Sequence, residues 1–314
     1  MSKGHEHVPV LQGPALDALR IRADGVYVDG TYGRGGHSAA MLARLGEEGR
    51  LVVTDRDPQA IADARAKYAD DGRVTIRRAN FAEIGSIVDE LGLGGRVDGL
   101  LLDVGVSSPQ LEDPERGFSF QHDGPLDMRM DPESGESVAE WLARADASDI
   151  ARVIKEYGEE RFARRIARAI VQIRETEPIE RTAQLAAIVS DAVPGSPSPR
   201  HPATRTFQAL RIFINDELGA LERALDEGIE LLAPGGRFVV ISFHSLEDRL
   251  VKRRFAKAAK PPPASRRLPA METFVPSLKL IGGLVQADED EVERNPRARS
   301  ARMRVAEKTV GEAA

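Results

Sequence analysis

The sequence predicts an α/β fold in which a doubly wound, mostly parallel sheet is interrupted by an inserted α-helical domain. Short continuous apolar runs alternate with helical patterns of about ten residues, an order that is typical of βαβ units. A further observation predicts the insertion. Over 130 residues separate the apolar runs that end at Val104 and begin at Arg237, whereas a single crossover needs only about 12 to 30 residues.

The predicted strands are the apolar runs near the two ends of the chain. In order they are Gly25–Gly30, Arg50–Asp55, Val74–Ala79, Val97–Val104 and Arg237–Phe243, with Lys279–Leu284 and Ala301–Lys308 closing the sheet at its edge. Helices are predicted over Ser38–Leu45 and Pro58–Tyr68. Asp57 and Pro58 mark the start of the second helix, because Asp is favoured as an N-cap and Pro in the first helical turn.

The interval between the fourth and fifth strands contains more helix than one crossover requires. Asn215–Leu232 supplies the crossover, and a loop rich in helix-breaking residues, Pro194–Pro202, precedes it. Four further helical patterns lie before that loop, at Ser137–Leu142, Ala147–Tyr157, Glu159–Ile173 and Thr182–Val193. We therefore predict a discontinuous core of residues 1–110 and 212–314, and an inserted domain of residues 111–211 that recognises the substrate.

The composition excludes several classes of protein. Cysteine is absent, which excludes a disulfide framework, thiolate metal sites, a cysteine nucleophile and iron–sulfur clusters. Apolar residues make up 41% of the chain and charged residues 30%, as in ordinary soluble globular proteins. No segment approaches 18 consecutive apolar residues, and Met1–Val10 carries no signal-peptide pattern, so we expect a cytoplasmic protein.

The charges are distributed unevenly along the chain. The formal net charge is -6, but Arg249–Lys308 holds 15 Lys and Arg against 7 Asp and Glu. Such an asymmetry favours a phosphate-binding surface within an acidic protein. The alternative is that these arginines are solvated or pair with the acidic remainder of the chain.

A glycine-rich loop follows the first strand, from Asp29 to His37. Glycine lets the backbone approach a ligand closely, and the helix that follows offers free N–H groups. Ser38 stands where a dinucleotide-binding fingerprint requires Gly or Ala, and the loop lacks the Gly-Lys-Ser/Thr ending of a phosphate-binding loop. What remains, Asp29 with Gly33 and Gly35, resembles the cofactor loop of class I methyltransferases, in which the carboxylate would meet the ammonium group of S-adenosylmethionine.

Three residues at the ends of later strands are candidates for the same site. Asp55 lies 20 residues after Gly35 at the end of the second strand, where a carboxylate accepts hydrogen bonds from ribose hydroxyls. Phe81 follows the third strand and is predicted either to lie against a purine or to belong to the core. Asp103 ends the fourth strand, and a buried carboxylate without a partner is costly, which favours a functional role.

Longer motifs cover nearly the whole chain, at Gly33–His37, Asp103–Leu111, Glu115–Phe120, Gly124–Met130, His201–Arg211, Phe243–Lys252 and Asn295–Ser300. In this order they resemble the ribosomal RNA small-subunit methyltransferase H family. The resemblance implies a class I, Rossmann-like methyltransferase core with an inserted helical domain. It also implies methyl transfer from S-adenosylmethionine to the exocyclic amine of one cytidine in the decoding region of small-subunit ribosomal RNA. The implied partner is that RNA or the assembled small subunit.

The resemblance implies positions for the cofactor and leads to a hypothesis for catalysis. The implied cofactor-binding residues are Gly35, Gly36, His37, Asp55, Phe81, Asp103 and Gln110. A cytosine amine is a poor nucleophile and needs acceptors for its hydrogens. We hypothesise that these acceptors come from Asp103 and from the turn of Ser107, Ser108 and Pro109. His244 is expected to contact RNA or to remove a proton, or alternatively to fix its own loop by a hydrogen bond.

Basic residues form the predicted RNA-binding surface. Arg161, Arg165 and Arg168 share one face of the predicted helix Glu159–Ile173. The other members of this surface are Arg205, Lys252, Arg253, Arg254, Arg297 and Arg299. The alternative for the helix is a solvated face whose arginines pair locally with neighbouring glutamates.

Other functions fit parts of the sequence less well. Ser38 disfavours an NAD-dependent oxidoreductase, whereas a non-catalytic RNA-binding or assembly factor would keep the same fold. A Ser-His-Asp hydrolase using Ser107, His244 and Asp248 lacks the Gly-x-Ser-x-Gly motif. Six histidines without paired spacing predict no metal site.

Overall fold

The computed structural model describes residues 9–194, 201–261 and 274–310, so most of the predicted loop Pro194–Pro202 lies outside the described residues. Within these ranges one sheet contains seven strands: β1 Val26–Asp29, β2 Arg50–Asp55, β3 Val74–Arg78, β4 Val97–Asp103, β5 Leu232–Ser242, β6 Leu278–Val285 and β7 Arg302–Lys308. Their order across the sheet is β3-β2-β1-β4-β5-β7-β6. The predicted α/β class is confirmed. Every predicted strand is present, and β5 begins five residues before its predicted start.

The sheet topology places the carboxyl ends of two strands at a switch point. β1 pairs in parallel with β2 on one side and with β4 on the other, and the chain winds outward from there in both directions. In sheets of this kind, ligands bind in the crevice outside the strand ends at the switch point. Asp29 ends β1 and Asp103 ends β4, so the fold brings both carboxylates to this edge. β7 is antiparallel to both β5 and β6, and β6 forms the far edge.

Thirteen α-helices accompany the sheet in the described part of the chain. They are α1 Gln12–Leu19, α2 Gly36–Leu42, α3 Pro58–Tyr68, α4 Ile84–Glu90, α5 Ser108–Glu112, α6 Val138–Arg144, α7 Ala147–Gly158, α8 Ala163–Arg174, α9 Thr182–Ala192, α10 Thr204–Ile214, α11 Glu217–Leu231, α12 Ser245–Ala259 and α13 Glu289–Arg294. The predicted N-cap of α3 is confirmed, because the Asp57 carboxylate accepts a hydrogen bond from the backbone N–H of Gln59 at 2.9 Å. Among the described helices, none is both long enough and apolar enough to traverse a lipid bilayer.

Successive side chains of a strand alternate between the two faces of the sheet, and both faces are buried at the central strands β4 and β5. On β4, Leu101 packs into the apolar cluster that contains residues of α1 and α2. Leu100 and Leu102 pack into the cluster on the other face, with residues of α4, α11 and α12. All three leucines have no exposed surface. This two-sided burial explains why the strands of the sheet are continuous apolar runs rather than alternating ones.

The described residues divide into two compact units, one within Met1–Gly105 and Leu218–Ala314 and the other within Val106–Glu217. The first unit contains the sheet. The second has a helical core of its own, in which Trp141, Ile150 and Ile166 are buried. The assignment of residues 111–211 as a substrate-recognition domain stays a prediction.

One predicted helix begins later than its sequence pattern indicates. The pattern predicts a helix over Glu159–Ile173, but α8 starts at Ala163. Glu159 adopts a left-handed conformation with φ of 50°, which ends α7, and the Glu160 carboxylate accepts a hydrogen bond from the backbone N–H of Phe162 at 2.9 Å. The prediction that Arg161 lies on this helix is therefore wrong, because a local carboxylate holds the chain in a turn there.

Candidate active site

The carboxylate of Asp29 is enclosed at the end of β1. Its Oδ2 accepts a hydrogen bond from the Ser38 hydroxyl at 2.6 Å, and its Oδ1 accepts one from the backbone N–H of Thr31 at 3.1 Å. Asp29 has no exposed surface, and burial raises the pKa of its carboxyl. The predicted contact of Asp29 with the cofactor's ammonium group stays a prediction. Asp29 holds the two ends of the glycine-rich loop together.

The bond to Asp29 also gives Ser38 a structural role. The side chain of Ser38 is fully buried on α2, and its hydroxyl is directed at the end of β1. A dinucleotide fingerprint has Gly or Ala here so that helix and strand can pack closely. In this chain a side-chain hydrogen bond joins the helix and the strand instead, which is consistent with a ligand other than a dinucleotide.

The glycine-rich loop requires glycine at particular positions for steric reasons. Gly33 and Gly35 have φ of 56° and 75°, in the left-handed region that favours glycine. A Cβ atom on Gly35 would lie 2.4 Å from the Tyr32 hydroxyl, and one on Gly36 would lie 2.1 Å from the ring of Pro9. Neighbouring residues therefore press against the loop from two sides, and only glycine fits between them.

Tyr32 anchors this loop, a role that the sequence patterns did not predict. Its ring is 3% exposed and its hydroxyl donates to Oδ2 of Asp63 on α3 at 2.7 Å. The ammonium group of Lys67 lies 2.8 Å from the same carboxylate oxygen and also donates to the carbonyl of Arg34 in the loop at 3.1 Å. The i,i+4 spacing of Asp63 and Lys67 is visible in the sequence, but it indicates only a helical ion pair.

Asp55, at the end of β2, joins the loop to the start of α3. Its Oδ2 accepts a hydrogen bond from the backbone N–H of Gly33 at 2.8 Å, and its Oδ1 accepts one from that of Asp57 at 2.9 Å. Burial raises the pKa of Asp55 to about 6, with smaller contributions from the charges of Asp57 and Asp29, although the two backbone bonds oppose the shift. Two lone-pair directions remain on this carboxylate for further donors.

His37 and Asp103 form the centre of the site. His37 is 5% exposed, and its Nε2 lies 3.5 Å from Oδ2 of Asp103. Burial lowers the pKa of His37, but the Asp103 carboxylate, the charge of Asp29 and the backbone of Val10 together outweigh burial, so the pKa lies above its usual value. The backbone N–H of Asp103 donates to the Thr31 hydroxyl at 2.7 Å, which fixes the end of β4 against the loop.

One oxygen of Asp103 is buried at this point without a hydrogen-bond partner. Among the described residues, none donates to its Oδ1, whereas the ring of His37 faces Oδ2 of Asp103 and interacts with the backbone of Val10. A buried polar atom without a partner costs about 1–3 kcal/mol. Oδ1 of Asp103 is therefore a candidate to accept a hydrogen bond from a ligand at the switch point.

Phe81 lies beside this site, after β3. It begins a short 3₁₀ helix, Phe81–Glu83, that the Asn80 side chain caps by accepting from the backbone N–H of Ala82 at 3.0 Å. A Cβ atom on Gly30, next to Asp29, would lie 3.4 Å from the Cβ of Phe81. The side chain is only half-buried, so part of the ring remains available to a ligand.

The predicted turn of Ser107, Ser108 and Pro109 lies in the second unit, where it forms the start of α5. Ser107 is the N-cap of this helix, and its backbone N–H donates to Oε1 of Gln110 at 2.9 Å. Ser107, Ser108, Pro109 and Gln110 thus form the first turn of a helix rather than an open turn. Their roles as acceptors for the amine and, for Gln110, in holding the cofactor stay predictions.

His244 caps α12 in the first unit. Its Nδ1 accepts from the backbone N–H of Glu247 at 3.4 Å, and Oε2 of Glu247 accepts from the backbone N–H groups of Phe243 and His244 at 2.8 and 3.1 Å. The geometry thus supports the alternative in which His244 fixes its own loop. We propose no catalytic role for it.

The predicted basic residues occupy several different environments. Arg205 lies 3.8 Å from the Glu160 carboxylate and donates to the carbonyl of Glu159, so its charge is partly neutralised. Arg254 pairs with Asp226. Lys252, Arg253 and Arg299 are exposed, whereas Arg297 is half-buried. Arg161, Arg165 and Arg168 are exposed in the second unit.

Comparison with known proteins gives matches over almost the whole chain. Residues 4–309 match the sequence profile of the MraW methylase family. The chain is 56% identical over 304 residues to the ribosomal RNA small subunit methyltransferase H of Thioalkalivibrio sulfidiphilus, covering 96% of this chain and 97% of the relative. It is 56% identical over 302 residues to the protein of that name from Xanthomonas oryzae pv. oryzae, covering 96% and 88%. A solved rRNA methylase from Streptococcus thermophilus is similar at 10% identity and a TM-score of 0.40, over 95% of this chain and 94% of that chain.

Proposed function

The chain belongs to the MraW methylase family, and from this premise we propose that it methylates the exocyclic amine of one cytidine in the decoding region of small-subunit ribosomal RNA. S-adenosylmethionine is the methyl donor. The observation that supports this reaction most directly is the buried Oδ1 of Asp103, which lacks a partner beside His37 at the switch point of the sheet. A donor group of a ligand at the ends of β1 and β4 satisfies it.

The residues around the glycine-rich loop hold the methyl donor. The loop, fixed by Asp29 and Tyr32, lets the ligand approach its backbone N–H groups between Gly33 and His37. Asp55 accepts hydrogen bonds from the ribose hydroxyls with the lone pairs that the two backbone N–H groups leave unused. Phe81 packs against the purine. The bound cofactor supplies a methyl group on a positively charged sulfur, which makes the carbon electrophilic.

Asp103 prepares the amine of the cytosine for attack. The nitrogen lone pair is delocalised into the ring, and it becomes available only as the nitrogen turns tetrahedral. The carboxylate accepts a hydrogen bond from an N–H of the amine and so favours this change. Close positioning of the two reactants makes the in-line displacement effectively unimolecular. His37 positions the carboxylate from 3.5 Å away. The chain has no cysteine, so transfer is direct rather than through a cysteine adduct.

Mapping the modified nucleotide tests this function. The protein is incubated with methyl-labelled S-adenosylmethionine and small subunits from cells that lack the modification, and the RNA is then digested and analysed by mass spectrometry. We expect one additional methyl group on the exocyclic amine of a single cytidine in the decoding region. Label on a different base, or on a carbon atom of the ring, would refute the proposed reaction, and absence of label would favour a non-catalytic RNA-binding factor.

Ligand binding separates the methyltransferase from an oxidoreductase. We expect S-adenosylhomocysteine to raise the melting temperature of the protein, because it occupies the native site and does not bind the unfolded chain. NADH at the same concentration should leave the melting temperature unchanged. A shift with NADH alone would favour the oxidoreductase.

The affinity for S-adenosylhomocysteine should increase as the pH rises through about 6. The pKa of Asp55 is about 6 in the unliganded protein, and ribose hydroxyls donate to the ionised form, so binding releases a proton where the carboxyl is still protonated. Calorimetry over roughly pH 5 to 8 measures this dependence. Asp55→Asn should bind more weakly with a flatter profile, which distinguishes Asp55 from His37. An unchanged profile in the variant would show that another group titrates.

A further inference from the structure

A basic trough runs between α7 and α8 in the second unit. It consists of two adjoining cavities of about 690 and 670 Å³ that share Lys155, Arg164 and Arg168 in their walls. Arg161 and Arg165 line the first cavity as well. Because three cations line both cavities, we describe the two together as one basic surface between α7 and α8, the trough.

The walls of this trough hold six cations, Arg152 among them, against three carboxylates, which belong to Glu156, Glu159 and Glu160. Within residues 9–194, 201–261 and 274–310, no carboxylate forms an ion pair with any of the other five cations, which are Lys155, Arg161, Arg164, Arg165 and Arg168. The carboxylates in the walls have other partners. Glu160 accepts from the Phe162 N–H and pairs with Arg205, and Glu156 pairs with Arg152.

Packing explains why these cations lie together in the trough. Ile166 and Ile170 of α8 face the core of the unit, which directs Arg164, Arg165 and Arg168 outward. Arg164 and Arg168 are four residues apart, which places their side chains along the same row of α8. Lys155 is added from α7, which places cations on both sides of the trough.

We propose that this trough binds the phosphate backbone of RNA, an inference that rests on the proposed function. Unpaired arginines recognise phosphate through the planar fork of the guanidinium group. Phe162 packs against the core of the unit, and the guanidinium of Arg161 lies over its ring, 4.5 Å from the centroid, which holds Arg161 at the first cavity. RNA is the occupant favoured here, because the chain belongs to the MraW methylase family and its relatives are named ribosomal RNA methyltransferases.

Neutralising the shared cations tests the proposal in the full-length protein. We compare Arg164→Gln/Arg168→Gln with Arg44→Gln/Arg96→Gln, which removes two exposed arginines from the first unit and gives the same net charge. The probe is an unmodified transcript of small-subunit ribosomal RNA, titrated at several salt concentrations. The trough variant should bind more weakly, and the slope of log affinity against log salt should fall by about 1.4 to 1.8 for two lost phosphate contacts. The control should keep the wild-type slope.

Kinetics separate this proposal from the function on which it rests. In methyl transfer to small subunits, the trough variant should raise KM with kcat unchanged, and its affinity for S-adenosylhomocysteine and its melting temperature should equal those of the wild type. An unchanged salt slope, with methyl transfer intact in the wild type, would overturn the trough and leave the function standing. A higher KM for subunits with unchanged transcript binding would indicate contact with a ribosomal protein and would also overturn it. Failure of the wild type to methylate would instead refute the function.

Discussion

Asp103→Asn should lower the rate of methyl transfer at saturating cofactor and RNA by about 10²- to 10⁴-fold. The carboxylate is the group at the end of β4 that can accept a hydrogen from the amine, and its Oδ1 is buried without a partner. An asparagine retains the shape but replaces one acceptor by a donor, so the amine loses the interaction that favours a tetrahedral nitrogen. Because the charge of Asp103 raises the pKa of His37, the variant should also lower that pKa, which NMR titration measures.

Asp98→Asn is the matched control for this variant. Asp98 lies near the start of the same strand, where its carboxylate accepts from the backbone N–H of Val26 at 2.9 Å and pairs with Arg22. An asparagine oxygen can still accept the backbone bond, so turnover should remain close to that of the wild type. Near-normal kcat for Asp103→Asn would remove Asp103 from the reaction and leave it at most a ligand of the cofactor.

Gly35→Ala should weaken the binding of S-adenosylhomocysteine by at least about tenfold, and it should lower the free energy of unfolding by about 1–2 kcal/mol. Gly35 has φ of 75°, and a Cβ atom there would lie 2.4 Å from the Tyr32 hydroxyl. Relief of this clash requires Tyr32 to move, which breaks its hydrogen bond to Asp63. The loop then loses its anchor on α3 together with the backbone arrangement that receives the cofactor.

Gly72→Ala provides the control for a general effect of adding a methyl group. Gly72 lies in the turn before β3, its φ is not in the left-handed region, and apart from its chain neighbours no atom lies within 4 Å of a Cβ placed on it. Alanine restricts the unfolded chain, so stability should stay the same or increase by up to about 1 kcal/mol. Calorimetry gives the affinity and chemical denaturation gives the stability of each variant. Wild-type affinity in Gly35→Ala would show that the loop conformation is not needed for binding.

Local chemistry made much of the fold predictable. Two-sided burial produces continuous apolar runs, so the strands could be placed from the sequence, and β2 agrees at both ends. The N-cap at Asp57 was predictable because it depends on residues next to each other in the chain. Arg161 was misplaced because the helical spacing continues through Glu159 and Glu160, whereas a left-handed residue and a side-chain hydrogen bond interrupt the helix.

The sequence by itself determined the fold class, the glycine-rich loop and the carboxylates at the strand ends, because hydrophobic periodicity and conformational preferences act over a few residues. Only the tertiary structure decided how each of these carboxylates is bonded within the protein. Asp29 accepts a hydrogen bond from Ser38, whereas Asp103 keeps an unpartnered oxygen beside His37. The tertiary structure also decided where cations without ion pairs lie together, since the trough combines Lys155 of α7 with the arginines of α8. Burial and ion pairing depend on which surfaces pack together, and those surfaces are distant in sequence.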